Sequence, residues 1–374
     1  MGLLRLWAPS LIQRVGDRRK FCLLMYVSSS LLLLALPLVA VVNRSPNSAW
    51  SIGMLVAVWA IYHLLESLGT IALWSWLGDL VPLRVRGRYI GQRNRWHVGG
   101  RLVGMLVSGW FTYEWTASLS EGHSERWIAY AISATAGAVF MAVAVVSLAF
   151  MPTIADSASP PERFQWRWVY RVIADRSYRR LIAHSGSMAL FNGLTQAAQF
   201  IYPQRVLGFE YSHFLALRSG LRGGQTLISP ALGRIMDRQG SIPVMLVRQV
   251  LVATGPLFFL FATPSQPWWI IAAYAVWIAY AGLNIGLPGL MLGLSPQQND
   301  TRYIAVYFAV SELLYGIGTV CGSLLLRWLL QRDTAYTIGP LALDAFGVVF
   351  LFGFVARSFG VLLLSRIRPP RCDA

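Results

Sequence analysis

The chain has 374 residues, of which 56% are hydrophobic and 13% are charged. Soluble domains carry about 25% charged residues, so this composition disfavours a soluble enzyme. Because the apolar residues extend along the whole chain, a single-pass receptor is also disfavoured. The formal net charge of +16 would favour nucleic-acid binding only if the arginines lay on a soluble surface. We therefore predict an all-α protein that crosses a membrane many times.

Ten apolar runs are long enough, at about 20 residues each, to cross about 30 Å of hydrocarbon. In chain order they lie near 21-42, 49-77, 96-117, 127-151, 181-202, 212-235, 242-262, 267-294, 302-329 and 340-364. Glycine and proline occur inside several of them, which is common in polytopic membrane proteins. The sequence therefore predicts about ten transmembrane helices.

The arginines are concentrated in alternate connections between these runs. Most of them lie before residue 21, in 79-95 and in 152-180, whereas the intervening connections carry few charges. Cytoplasmic connections of membrane proteins are enriched in Lys and Arg. We therefore expect both termini on the cytoplasmic side of the plasma (inner) membrane. The positive charge is assigned to topology and lipid headgroups rather than to nucleic acid.

Two kinds of short segment occur once in each half of the chain. Pro82 precedes Arg88-Tyr89-Ile90 by the same distance as Pro296 precedes Arg302-Tyr303-Ile304. The members of an earlier pair are Arg14-Val15-Gly16-Asp17-Arg18-Arg19 and Gly233-Arg234-Ile235-Met236-Asp237-Arg238-Gln239-Gly240. These pairs indicate an internal repeat with matching loops between helices.

The earlier pair resembles the cytoplasmic signature of the major facilitator superfamily, Gly-x-x-x-Asp-Arg-x-Gly. The matching residues are Gly233, Asp237, Arg238 and Gly240 in the second half, and Arg14, Gly16, Arg18 and Arg19 in the first. Gln13 stands where the first-half signature has an aspartate. A further stretch resembles the superfamily's loop between helices 4 and 5, and its residues are Asp79, Pro82, Arg86, Gly87 and Arg88.

The resemblance implies two six-helix bundles related by an axis along the membrane normal. We expect an N-terminal bundle at 1-151, a basic cytoplasmic linker with an amphipathic helix at 152-180, and a C-terminal bundle at 181-374. Gly16 has far fewer residues before it than Gly240 has within the second half, a difference of about 45 residues or roughly two helices. We therefore expect an incomplete 4+6 arrangement, arising from a mis-assigned start or a truncated relative.

Charged residues within apolar runs are costly in a membrane and usually face a cavity or a partner. Glu66 and Glu312 are candidates for proton binding, with a structural buried ion pair as the alternative. Arg218 and Arg222 lie four residues apart on one helix face, where they could hold an anionic group. Alternatively they snorkel or pair with Glu312. Arg101 is the third arginine among these candidates. Because three arginines outnumber two carboxylates, we expect a slightly positive cavity that favours an anionic substrate.

Uncharged polar residues provide further candidates. Asn192, Gln196 and Asn284 could hydrogen-bond a polar substrate such as a sugar, or they could join helices to one another. Arg357 is expected near a helix end, where an interface role is the simpler interpretation. No combination of catalytic or metal-binding residues occurs at helical spacing, so we expect neither an enzyme nor a cofactor or metal site.

Small residues recur four apart in two of the runs. Gly100 and Gly104 form one pair, and Gly318 and Gly322 form the other. Such spacing lets helix backbones approach closely. We therefore predict close helix contacts at both pairs.

The resemblance implies secondary active transport of a small solute by alternating access, with protons as a candidate coupling ion. It also implies that the Asp237 loop closes the cytoplasmic side by meeting the helix near Arg95 and Arg101. The alternative is a membrane sensor or scaffold that does not transport, or a truncated inactive relative of the superfamily, because two helices of the cavity wall would be missing.

Overall fold

The computed structural model describes residues 2–37, 49–119, 125, 127–152, 164–296, 300–332, 336–338 and 341–368. Residues 38–42 of the first predicted run and 153–163 of the predicted linker lie outside them. A 3₁₀ segment, Gly2–Trp7, opens the chain. The helices are α1 (Ala8–Val15), α2 (Arg18–Leu33), α3 (Ala49–Leu80), α4 (Arg86–Ala117), α5 (Trp127–Ala149), α6 (Trp166–Ala174), α7 (Arg176–Arg205), α8 (Tyr211–Gln239), α9 (Ser241–Phe261), α10 (Trp269–Trp277), α11 (Tyr280–Leu294), α12 (Asp300–Arg332) and α13 (Ala345–Ser365). A two-stranded antiparallel hairpin, β1 (Tyr336–Ile338) and β2 (Leu341–Leu343), precedes α13.

Seven helical spans in the described part of the chain are long and apolar enough to cross a membrane. They are α2, α3, α5, α9, α10 with α11, α12 and α13. Three more helices, α4, α7 and α8, have 32, 30 and 29 residues but carry more polar and charged side chains. These ten spans correspond to the ten predicted runs, so the predicted all-α polytopic membrane fold is confirmed.

The three polar helices face other helices rather than lipid alone. Helix α4 runs antiparallel to α8, and the two are in contact from Gly87 and Gly233 at one end to Gly109 and Leu215 near the other. Helix α7 instead runs parallel to α12 and packs closely on it, from Tyr178 and Tyr303 near one end to Leu194 and Gly322 further along. Polar residues are tolerated in these helices because helix contacts and cavities, not hydrocarbon, surround them.

Glycines allow the close contact of α7 with α12. A Cβ at Gly318 or Gly322 would overlap the α7 backbone at Leu190 or Leu194, so the predicted contact at this pair is confirmed. The prediction for Gly100 and Gly104 is wrong, because a Cβ at either position would meet open space. Spacing alone does not determine which face of a helix meets a neighbour.

One end of the bundle carries most of the arginines, and we call it the arginine-rich end. Helices α2, α4 and α12 begin there, and α3 and α8 end there. The predicted connection 79-95 is wrong in extent, since α4 already begins at Arg86. The Arg86 guanidinium donates to the carbonyls of Gly78 and Val81 at 3.1 and 3.2 Å and so stabilises the tight turn before α4. Helix α4 therefore extends beyond its apolar part.

The buried core differs between the two ends. At the arginine-rich end a single apolar cluster joins both halves, with Ile71 and Trp76 of α3 packed in the same cluster as Ile304 and Val306 of α12. In the described residues of the opposite end, the buried cluster around Phe350 belongs to the second half alone. The two halves are therefore closed against each other at the arginine-rich end.

Helix α6 lies within the predicted linker and is amphipathic. Trp168 and Val172 are buried, whereas Trp166 and Tyr170 are exposed. Just before it, the ring of Phe164 stacks on Trp7 with centroids 4.9 Å apart. The linker thus contacts the first residues of the chain at the arginine-rich end.

Candidate functional site

A cavity of about 660 Å³ lies in the second half, toward the opposite end. Its volume is in the usual range for small-molecule sites. Its polar lining residues are Gln196, Gln199, Arg218, Arg222, Thr319 and Ser323, and its aromatic lining residues are Phe200, Phe214, Tyr274 and Trp277. The lining includes two arginines and no carboxylate, so the cavity is electropositive.

Helical spacing places both arginines on the cavity face of α8. Arg218 is hydrogen-bonded to the side chain of Tyr274. Arg222 donates to Gln225 at a distance of 3.4 Å. The charged groups that act on Arg222 are Arg101 of α4 and Arg218, which are both positive. Arg101 therefore adds to the positive potential from the first half, and the three cations repel one another.

A fourth arginine lies behind the cavity wall. Arg357 was expected near a helix end, but it lies within α13. Its side chain is only 1% exposed, so the interface interpretation is wrong. It donates to Thr195 Oγ1 at 2.7 Å and to Asn192 Oδ1 at 3.1 Å. In the described part of the chain no carboxylate pairs with it. Gln199 also donates to Thr195 at 3.0 Å, which connects Arg357 to the cavity lining.

The uncharged candidates are divided among three positions. Gln196 lines the cavity. Asn192 accepts hydrogen bonds from Arg357 and from the Tyr280 hydroxyl, the latter at 2.9 Å, so it joins α7 to α11 and α13. Asn284 is exposed on α11 and is not part of the cavity lining.

The two candidate carboxylates form a separate group around Arg5. Glu312 of α12 makes an ion pair with Arg5 in the 3₁₀ segment. The alternative that Arg218 and Arg222 pair with Glu312 is therefore wrong. Glu66 accepts from Thr70 at 3.2 Å, and the fields of both Glu66 and Arg101 act on Tyr62. Glu66 thus acts electrostatically on Arg5, and Tyr62 is a shared neighbour of Glu66 and Arg101.

The signature loop of the second half crosses to the first half. Asp237 accepts hydrogen bonds from the backbone N–H of Gly87 at 2.7 Å and of Arg88 at 2.8 Å. These groups belong to the first turn of α4, where a carboxylate offsets the positive end of the helix dipole. The contact is ten residues or so before the predicted position near Arg95 and Arg101, because α4 begins earlier than its apolar part.

The signature loop of the first half also contacts the other half, but through the arginine Arg18 rather than through a carboxylate. Arg18 donates to Asp79 at 2.7 Å and to Asp300 at 3.3 Å, so it joins the end of α3 to the start of α12. Arg19 donates to the Ala149 carbonyl at the end of α5. Gly16 and Gly240 both have positive φ, at 74° and 86°, which lets the chain turn sharply between helices. Arg14, Arg238 and Pro82 are exposed at the same end.

Sequence reasoning missed several residues that these contacts depend on. Arg5 was outside every apolar run, and Asp300 was at the edge of one, so neither was recognised as an intramembrane charge. A weak signal existed for Asp300, since it lies two residues before the repeated Arg302-Tyr303-Ile304 segment. Tyr274 and Trp277 could not be separated from ordinary apolar residues by pattern.

The chain matches the sequence profile of the Major Facilitator Superfamily over residues 1–319. No curated protein matches it in sequence. Among solved structures, the proton:xylose symporter XylE bound to 6-bromo-6-deoxy-D-glucose has a TM-score of 0.69 at 11% identity, over 98% of this chain and 84% of that one. The E. coli fucose:proton symporter FucP has a TM-score of 0.64 at 11% identity, over 98% and 97%.

The human organic anion transporter TETRAN has a TM-score of 0.63 at 16% identity, over 97% of this chain and 81% of that one. At such identities the structural likeness establishes the shared fold and not the substrate. The profile match covers most of the chain, and the loops that carry the signature make the contacts described above. The protein is therefore an integral membrane protein and a transporter that belongs to the major facilitator superfamily.

Proposed function

We propose that the protein moves a small anionic solute across the membrane by alternating access, with Arg218 and Arg222 binding the anion. The observation that carries this proposal is the electropositive cavity, which has two arginines in its lining and no carboxylate. Arg218 is exposed but Arg222 is half-buried, and a half-buried cation is costly unless a partner compensates it. An anionic ligand supplies that compensation, whereas a neutral sugar does not.

The rest of the cavity lining fits a small organic anion. Gln196, Thr319 and Ser323 can hydrogen-bond polar substituents, and Tyr274 with Trp277 provides an apolar wall. The superfamily members compared above are named for substrates as different as sugars and organic anions, so the fold does not select the substrate. The charge of the cavity is the feature that favours an anion.

The closed arginine-rich end suggests how transport is coupled to conformation. By the positive-inside rule we assign this end to the cytoplasm, so the described state is closed toward the cytoplasm. Arg101 of the first half and Arg222 of the second repel each other when the site is empty. An anion bound between them removes that repulsion and allows the halves to approach around it, which is the step that alternating access requires.

Uptake into vesicles tests the proposal. Purified protein in liposomes should take up labelled small organic anions in preference to neutral analogues of the same size. Charge-assisted hydrogen bonds contribute about 1.5–3 kcal/mol each, so the Arg218→Gln/Arg222→Gln variant, which removes two arginines, should lose at least about a hundredfold in uptake at low concentration.

The matched control is Arg205→Gln/Arg327→Gln, which removes the same charge from exposed positions of α7 and α12 outside the cavity. It should transport like the wild type within about twofold. Preference for the neutral analogue, or equal losses in both variants, would contradict the assignment of the site. Anion binding without any uptake would instead favour a sensor.

We further propose that Glu66 carries the coupling proton. Glu312 is neutralised by Arg5, whereas the hydrogen bond of Glu66 comes from a neutral hydroxyl. Protonation of Glu66 would raise the positive potential at the nearby arginines and favour anion binding. Glu66→Gln should therefore abolish the pH dependence of net uptake while leaving exchange of internal for external anion intact. Unchanged pH dependence in Glu66→Gln would exclude this role.

A further inference from the structure

A second electropositive site lies at the arginine-rich end, on the outside of the contact between α4 and α8. This basic cleft has a volume of about 560 Å³ and is lined by Arg88, Gln92, Arg95, Pro230, Arg234 and Arg238. The three residues from α4 and the three from α8 each follow helical spacing, so one face of each helix forms one wall. The cleft is far along α8 from Arg218 and Arg222 and is separate from the substrate cavity.

The four arginines of the basic cleft have no acidic partner among the residues that the structure describes. Their side chains are exposed, and in the described part of the chain none of them forms a salt bridge. Asp237 is adjacent in sequence, but its two carboxylate oxygens accept from the backbone N–H groups of Gly87 and Arg88. Four like charges around one cleft are unfavourable until an anion binds.

The surroundings of the basic cleft are those of the membrane interface. Trp96 is 68% exposed, and the Arg95 guanidinium lies over its ring at 5.6 Å, an arrangement common at the level of lipid headgroups. A smaller adjoining cavity is lined by Ala231 and Ile235 together with Arg234 and Arg238. Ile235 is 38% exposed, so an apolar surface continues from the arginines.

The basic cleft spans the two halves at a close backbone contact. Arg88 directly follows Gly87, and Arg234 directly follows Gly233. A Cβ on Gly87 would lie 2.7 Å from the Gly233 carbonyl oxygen, which shows how tightly this contact is packed. When the halves separate here, the two walls of the cleft must separate as well. A ligand that needs both walls is therefore bound only in the closed state.

We propose that the basic cleft binds the phosphate of an anionic phospholipid headgroup, with the adjoining apolar surface against an acyl chain, and that this lipid stabilises the closed arginine-rich end. Arginine binds phosphate oxygens through paired N–H groups. Anionic headgroups are attracted to basic clusters at the membrane surface. Because the lipid contacts both halves in one state only, it shifts the conformational equilibrium by its difference in affinity between the states. The effect is independent of which solute is transported.

The test measures the separation of the two halves in vesicles of known composition. Spin labels on Leu83→Cys and Gln239→Cys, both at exposed positions of the arginine-rich end, report the distance between the halves when the native cysteines are replaced by alanine. The full chain is compared in phosphatidylcholine alone and in phosphatidylcholine with phosphatidylglycerol. Phosphatidylglycerol should raise the ratio of closed to open protein by about tenfold.

The cleft variant is Arg95→Gln/Arg234→Gln, which removes one arginine from each wall. Its matched control is Arg167→Gln/Arg171→Gln, which removes two exposed arginines of α6 outside the cleft. The response to phosphatidylglycerol should persist in the control and disappear in the cleft variant. An undiminished response in the cleft variant, or an equal loss in the control, would overturn the proposal. An equal effect of inorganic phosphate in phosphatidylcholine vesicles would assign the cleft to a soluble anion and overturn the lipid assignment.

Discussion

Replacing Gly233 with alanine should open the arginine-rich end and lower transport turnover at least about tenfold. The new Cβ would overlap the carbonyl oxygen of Gly87 and would lie 3.2 Å from the Cα of Arg88. Both are backbone atoms of α4, so neither can move aside as a flexible side chain could. Overpacking of this kind costs about 1–3 kcal/mol, and here the cost falls only on the closed state.

Gly104→Ala is the control, because it adds the same methyl group to α4 at a position where a Cβ meets open space. Spin-label distances across the arginine-rich end should increase in Gly233→Ala and stay unchanged in Gly104→Ala. Asp237→Asn should shift the distances in the same direction but less, since an amide accepts poorly from two N–H groups and carries no charge. If Gly233→Ala folds and remains as closed as the wild type, the contact between Gly87 and Gly233 does not determine whether the arginine-rich end is closed or open.

Replacing Arg357 with methionine should lower anion transport about tenfold without lowering the melting temperature. The loss of transport is expected because a unit charge about 10 Å from an anion, at an effective dielectric constant of about 20, contributes roughly 1.7 kcal/mol. Stability should not fall, because a buried charge with only neutral partners is costly and apolar replacement of buried ionic groups is often neutral or stabilising.

The acceptors that Arg357 leaves behind keep other partners. Asn192 still accepts from Tyr280, and Thr195 still accepts from Gln199. Arg357→Lys, which retains the charge, should recover part of the anion transport and so separates charge from packing. Thermal unfolding in detergent and anion uptake in vesicles measure the two effects. A large fall in melting temperature in Arg357→Met would indicate that the arginine is structural and not part of the binding field.

The transmembrane spans were predictable because hydropathy and length are properties of a local stretch of chain. The ends of the spans were less predictable. Helix α4 begins at Arg86 although its apolar run begins near 96, because its first turns pack on α8, where the buried Asn94 donates to Ser229 at 2.9 Å. The run near 267-294 is interrupted between Trp277 and Tyr280, which no local apolar pattern indicates.

The candidate site was predictable where the rule is local. Arg218 and Arg222 are four residues apart, so they had to share a face of α8, and both line the cavity. The partners of the charged residues were not predictable. Glu312 pairs with Arg5, and Arg18 pairs with Asp300, across long distances in sequence. Such pairs depend on which helices become neighbours.

The sequence by itself determined that the chain is a helical membrane protein, that its arginines lie at one end, and that two related loops lie there. These properties follow from the composition, from the apolar runs and the alternating basic connections, and from short motifs. Only the tertiary structure decided which charges are compensated. It pairs Glu312 and Asp300 with arginines outside the cavity, and it leaves Arg218, Arg222 and Arg357 without a described carboxylate partner around it. The physical reason is that charge compensation acts through space, between side chains that only packing brings together.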